Sequence, residues 1–293
     1  EEFSIFCVFY WLLSAFKVQK FAFAGSNRLI QLFMKPNYQY LLHIQFLGFR
    51  FRGWQHQPGQ QTVEGMLKKT LKFVLSGMPV KILASGRTDA KVSAEALPVS
   101  LYLREALPMD EDAFTKEVNR NLPPDIRALP LREVDQEFNV LQDVIWKEYH
   151  YYFSNEPDFH PYAAPFIGYF HEPVDIGRMR EAAPLFEGTH TFESFCSRPG
   201  GKASFERTVD ISKIEVNTYQ SAPNMPENTY AYIVRSNGFL RYQVRMMVGA
   251  LVMLGKGELH ETDIVDALRG EKELAITTVA PASGLVLQEV SYK

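Results

Sequence analysis

"VKILASGRTDAKVSAEALPVSLYL", residues 80–103, decides how the first half of this chain folds. The apolar run "VKILAS" (80–85) and the alternating run "LPVSLYL" (97–103) both read as strands, with a polar loop between them. Upstream, "YQYLLHIQFL" (38–47) is another alternating strand, and "GFRFRGWQHQPGQ" (48–60) is a long loop. A helix is predicted from Thr62. Thr62 caps it, Val63, Met66, Leu67, Thr70, Leu71 and Val74 recur at helical spacing, and Ser76-Gly77 ends it. Downstream, "DEDAFTKEVNRNL" (110–122) predicts a helix with acids in its first turn, closed by Pro123-Pro124. "IRALPLREV" (126–134) is a strand. The order is β-α-β-β-α-β, a ferredoxin-like split motif.

The second half resolves into similar units. "VIWKEYHYYFS" (144–154), "RTVDISKIEV" (207–216), "TYAYIVRSN" (229–237) and "GLVLQEVSY" (284–292) read as strands. "DIGRMREAAPLF" (175–186), "FLRYQVRMMVGALVML" (239–254) and "ETDIVDALRG" (261–270) read as helices. The predicted fold class is α+β. Two ferredoxin-like halves are expected to fuse through a mixed, mainly antiparallel sheet, with helices on one side and a central cleft. Residues 34–137 form the first half, which carries the GRTDA loop, and residues 138–293 form the second.

Residues 1–33 differ in character. "FSIFCVFYWLLSAF" (3–16) is apolar over too short a run for a comfortable membrane span, and two glutamates precede it instead of a basic segment. Met34 is read as the natural start and residues 1–33 as an extension; the rival reading is an extra element packed on the body. The two cysteines, Cys7 and Cys196, form no metal spacing and no disulfide framework, which points to a reducing, cytoplasmic setting.

The 293-residue chain has a net charge of −3, but the charge is unevenly spread. Residues 35–93 carry nine Lys/Arg against Glu64 and Asp89, a surplus of +7 that leaves −10 on the remainder. This basic segment is either a polyanion footprint or a solvated helix face, to which Lys68, Lys69 and Lys72 would belong. The histidines are scattered, with no HExxH or CxxC pattern; Walker A, GxGxxG and GxSxG motifs are absent too. No metal and no nucleotide cofactor is expected.

Two residues then draw attention. Asp89, in GRTDA, is a carboxylate that can serve as nucleophile, acid–base group or loop cap. Arg245 sits in an apolar helical run, with Val244, Met247, Val248 and Leu251 around it, and either snorkels to solvent or meets an anion. Aromatic and basic residues interleave in "FRFRGW" (49–54) and "YHYYF" (149–153). Strand cores and base-stacking surfaces both use such runs.

Taken in order, "GWQHQP" (53–58), "GRTDA" (86–90), "KEYHY" (147–151), "FLRYQVRMMVGAL" (239–251) and "SGLVL" (283–287), with a weaker "GTHTFESF" (188–195), resemble the tRNA pseudouridine synthase A family. The resemblance runs from about Tyr38 to Lys293. It implies isomerisation of uridine to pseudouridine in tRNA, in the anticodon stem-loop, without cofactor, by a homodimer. It also implies that Asp89 is the nucleophile, Tyr149 the active-site tyrosine and Arg245 the active-site arginine paired with Asp89. Leu285 would pack at the target base and Arg87 would fill the space of the extruded nucleotide. Arg50, Arg52, Trp54 and Lys91 are candidate RNA contacts. Where the family pattern has glycine and histidine this chain has Lys91 and Ser93. A histidine and an arginine expected before the tyrosine strand are Asn139 and Leu141 here. A synthase acting on another RNA, a non-catalytic RNA-binding paralogue, and an aspartate-nucleophile hydrolase are the competing readings; the last lacks a DxDxT pattern.

Overall fold

Alternation along the first strand sets the architecture. The computed structural model describes residues 37–197, 204–218 and 224–293, so the expected extension at 1–33 lies outside the described residues. Strand β1 (Tyr38–Phe46) buries Tyr40, Leu42, Ile44 and Phe46 on one face. It pairs antiparallel with β3 (Ser93–Leu103), whose Leu97, Val99, Leu101 and Leu103 join the same core. Onto that face helix α1 (Val63–Val74) lays Val63, Leu67, Leu71 and Val74, and helix α2 (Glu111–Asn121) lays Phe114 and Val118. Both helices start as their caps require: the Thr62 hydroxyl accepts from the Gly65 amide, and the Asp110 carboxylate from the Ala113 amide. Strands β2 (Lys81–Ala84), β4 (Ile126–Ala128) and β5 (Arg132–Glu133) complete this part.

Farther along come β6 (Val144–Ser154), β7 (Gly168–Tyr169), α3 (Ile176–Ala182), β8 (Gly188–Thr191), β9 (Glu206–Val216) and β10 (Tyr230–Ser236). Helices α4 (Gln243–Gly255) and α5 (Glu261–Arg269) and strand β11 (Leu285–Tyr292) follow. One sheet runs β4-β1-β3-β11-β6-β10-β9-β8, with β2 on β3, β5 on β1 and β7 on β6. Among the described residues only β11–β3 and β6–β7 are parallel, so the sheet is mixed and mainly antiparallel, as the sequence indicates.

Strand β11 is the seam. It pairs antiparallel with β6 from Leu285↔Tyr151 to Tyr292↔Val144, but meets β3 only at Val286↔Ser93 and Leu287↔Ala94. Leu285 and Leu287 share a face because side chains alternate along a strand. Leu285 packs into the core under α4 and α5, and Leu287 into the core under α1 and α2. Val286 points the other way, to a small cluster with Tyr152, Ala163, Ile167, Ala231 and Ile233. Both helix layers therefore lie on one face of the sheet. Tyr149 of β6, on that same face, touches both cores and marks the gap between the layers.

Several expected boundaries move. The 126–134 strand breaks into β4 and β5 around Pro130, which has no N–H to give a ladder. The 175–186 helix is α-helical only to Ala182 and continues as a 3-10 turn holding Pro184. Strand β3 begins at Ser93, four residues before the expected start. Helix α4 begins at Gln243, because Tyr242 adopts a left-handed backbone (φ 64°) and Phe239–Tyr242 precede the helix as irregular chain. The short strands β7 and β8 carry too few residues to show alternation. Among the described residues, no helix is long and apolar enough to cross a membrane.

Candidate active site

A cleft of about 840 Å³ opens in the gap between the helix layers. It is lined by the loops after β1 and β2, the β6 face bearing Lys147 and Tyr149, the approach and first turn of α4, and Leu285 of β11. Among the described residues its lining holds five cationic side chains, Arg52, Arg87, Lys147, Arg241 and Arg245, and one carboxylate, Asp89. A strongly positive recess in a chain of net charge −3 is the main electrostatic fact about this molecule.

Backbone hydrogen bonds hold the Asp89 loop in place. The Trp54 amide donates to the Thr88 carbonyl (3.1 Å), the Lys91 amide to Phe51 (3.1 Å) and the Ser85 amide to Pro98 (2.9 Å). The loop around Trp54 is anchored in turn by Glu64, which accepts from the His56 amide (2.6 Å) and the Gln55 side chain (3.1 Å) and pairs with Lys68 (2.7 Å). Gly53 makes the close approach possible. Its φ is +91°, and a Cβ there would lie 2.7 Å from the Thr88 carbonyl oxygen and 3.1 Å from the Asp89 carbonyl carbon. Gly53→Ala is expected to lower stability by at least about 2 kcal/mol and to displace Asp89. Melting and activity are the measurements; wild-type values for both would show that the contact is slack.

Burial raises the Asp89 carboxyl above the usual carboxylate range, and the nearby charges of Arg245 and Arg241 act against that rise. Arg245 does not form the expected ion pair. Among the described residues Asp89 has no salt bridge; the Arg245 Nε instead donates to the Ala280 carbonyl at 2.7 Å. That carbonyl is within reach because Gly249 lets the 276–280 segment lie on α4: a Cβ at Gly249 would sit 1.7 Å from the Thr278 oxygen. The guanidinium also lies over the Tyr242 ring, 5.0 Å from its centre. So Arg245 acts on Asp89 through space, and its own partners are a carbonyl and a ring.

Tyr149 meets Phe239 edge to face (5.3 Å, 89°). Burial, and then the Asp89 charge, push its hydroxyl pKa far up, so at neutral pH it is a neutral phenol. Leu285 is buried at the cleft wall. Lys147 lies two residues before Tyr149 on the same strand face. It donates to the Ser85 carbonyl (2.6 Å), and burial lowers its pKa. Sequence reasoning passed over Lys147, although its i−2 spacing from Tyr149 puts both on one face. It also passed over Arg241, Tyr242 and Phe239, which the predicted helix absorbed.

The structure brings together Asp89, Tyr149, Arg245, Arg87, Arg52 and Leu285. Three other candidates stand elsewhere. Trp54 is 3% exposed and packs against Phe46, so its ring belongs to the core. Arg50 is bound to Asp125, with its second contact at 2.7 Å, and lies over Phe51. Lys91 is exposed outside the cleft lining, over Phe49, with φ +69°. That left-handed backbone favours the glycine found there in the family pattern. Ser93 accepts from the Gly48 amide (2.9 Å). Asn139 caps a turn ahead of β6 and Leu141 is half exposed, both away from the cleft lining. Among the described residues, no group of three His, Cys, Asp or Glu side chains is placed to hold a metal ion.

A family model described as tRNA pseudouridine synthase matches residues 182–293. A protein named tRNA pseudouridine synthase A from Oceanobacillus iheyensis is 34% identical over 252 residues, covering 85% of this chain and 95% of its own length. One of the same name from Bacillus pumilus is 34% identical over 85% of this chain and 97% of its own, and one from Solibacter usitatus is 32% identical over 86% and 98%. A solved Cbf5-Nop10-Gar1 complex aligns with 88% of this chain and 59% of the matched chain, at 13% identity and a TM-score of 0.36.

Proposed function

The chain belongs to the tRNA pseudouridine synthase A family, and from that premise we propose that it converts uridine to pseudouridine in the anticodon stem-loop of tRNA with Asp89 as nucleophile. The observation that carries the proposal is Asp89 as the sole carboxylate, among the described residues, in a cleft lined by five cations. Those cations suit a phosphate backbone, and their contribution to affinity falls with added salt.

The reaction breaks the bond from ribose C1′ to uracil N1 and joins C1′ to C5. C5 loses a proton and N1 gains one, so nothing is oxidised or reduced. The target base must leave its stack to reach Asp89. Arg87, exposed at the rim, takes the vacated space. The base lies between Tyr149 and Leu285, where the neutral phenol gives a flat surface and a hydrogen-bond donor. Asp89 engages the nucleotide while the glycosidic bond is open. The charges of Arg245 and Arg241 favour the ionised carboxylate against the cost of burial. The active form is a homodimer in the cytoplasm, each tRNA meeting both subunits.

The test is incubation of the purified protein with unmodified tRNA transcripts, followed by pseudouridine mapping. Conversion of one or a few anticodon-stem uridines is expected, weakening as salt rises. Binding without conversion on every tRNA tried would favour a non-catalytic paralogue. Conversion confined to another RNA would refute the substrate.

A further inference from the structure

Tyr242 stands out because its backbone and its ring are both unusual. It has φ 64° and ψ 2°, in the left-handed region, where a bulky side chain costs about 1–2 kcal/mol. It occupies the N-cap of α4 yet makes no side-chain capping bond, so the strain does not serve the helix in the usual way. What the conformation does is place the ring in the cleft beside two arginines. The guanidinium carbons of Arg241 and Arg245 each lie 5.0 Å from the ring centre. Arg241 reaches the hydroxyl only at 3.5 Å, the outer limit of a hydrogen bond, so the ring face is the main contact.

These are the two cations whose charges bear on Asp89. Neither is held by a carboxylate among the described residues. Arg245 has the Ala280 carbonyl and the Tyr242 ring, and Arg241, which is exposed, has the Tyr242 ring and hydroxyl. One aromatic side chain is therefore common to both.

We propose that Tyr242 is a positioning residue for the reaction: its ring holds Arg241 and Arg245 at the cleft wall and so sets the charge that Asp89 experiences. The proposal rests on the reading of Asp89 given above. The other charged or titratable groups facing Asp89 across the cleft are Lys147 and Tyr149 from β6, Arg87 from its own loop and Arg52 from the loop after β1. None of these touches Tyr242 in a ring or hydrogen-bond contact, so a Tyr242 substitution addresses the arginine pair selectively.

The experiment follows the Asp89 side-chain carboxyl by ¹³C NMR titration of the free protein, beside the pH profile of kcat/KM on tRNA. Tyr242→Asn removes the ring and suits a left-handed backbone; Tyr242→Phe keeps the ring. In the Asn variant Asp89 is expected to titrate roughly half a pH unit higher or more, a fraction of the ~1–3 units that one adjacent cation supplies. The acidic limb of the rate profile moves up with it, and kcat falls on the order of tenfold, equivalent to ~1.4 kcal/mol. The Phe variant matches wild type in both measurements. Tyr242→Gly serves as a second ring-free variant with the same expectation should the Asn variant fold poorly. Ring-free variants whose Asp89 titration superimposes on wild type would overturn the proposal, as would a Phe variant that behaves like Asn. The titration needs no substrate. A shifted titration in a protein whose wild type makes no pseudouridine would refute the proposed function and leave the positioning role standing.

Discussion

Asp89→Asn is expected to abolish pseudouridine formation, with a loss of roughly 10⁴–10⁶-fold, on the scale of removing a covalent nucleophile. It is also expected to raise the melting temperature at neutral pH. The carboxyl of Asp89 has its folded pKa raised, and burial is the main cause. For such a group the protonated form is the one the fold favours. Its stabilising contribution is complete below the unfolded carboxylate pKa, near ~3.9, and is lost as pH rises through the higher folded value. At pH 7 the ionised carboxylate is thus a burden that asparagine removes, while Arg241 and Arg245 offset part of it. The gain in melting temperature should shrink toward zero as pH falls below ~3.9. tRNA binding should change little, since asparagine keeps the shape of the side chain and the five cations are untouched. Turnover within tenfold of wild type would remove Asp89 from the chemistry. A lower melting temperature at neutral pH would contradict the account of its burial.

Arg245→Met is the second large effect. A fixed cation facing reacting charge in an enclosed site supports about 10²–10³ in kcat, and a fall of that size is expected. The stability change should be smaller than the breaking of a buried ion pair, which costs ~3–5 kcal/mol. Arg245 makes a hydrogen bond to the Ala280 carbonyl and a ring contact, with no carboxylate partner among the described residues. The expected loss is about 1.5–3 kcal/mol, the range for a hydrogen bond from a charged group. Arg245→Lys should recover little activity, because a lysine ammonium cannot reproduce the guanidinium's flat face over Tyr242 and its Nε bond together. The rate and the melting temperature separate the two roles: a large stability loss with an intact rate would make Arg245 a structural residue.

Much of this site was legible because its parts are local. GRTDA lies between two strand-like runs and "KEYHY" inside a third, so the chain itself says that Asp89 is on a loop and Tyr149 on a strand. What could not be read depends on distant partners. Arg50 looks like a free cation until Asp125, 75 residues away, is brought beside it. Trp54, in a glycine-rich loop, looks exposed until the loop folds back and seats its ring near Phe46. The start of α4 was misread because Phe239 and Leu240 continue the apolar pattern, while the feature that stops the helix there is a single left-handed tyrosine, a residue type that gives no warning of it. The Asp89–Arg245 pairing follows from the family resemblance; the carbonyl of Ala280 takes the guanidinium Nε instead and belongs to an irregular segment with no sequence signature.

The placement of β11 bears on how the protein is made. The strand bridging β3 and β6 is synthesised after every other element described here. Until residues 285–292 clear the ribosome, β3 and β6 each present an open edge along the future seam, and nothing registers Asp89 against Tyr149. A nascent chain stalled before Leu285 would lack the strand that joins β3 to β6, so the recess can close only once β11 has been made.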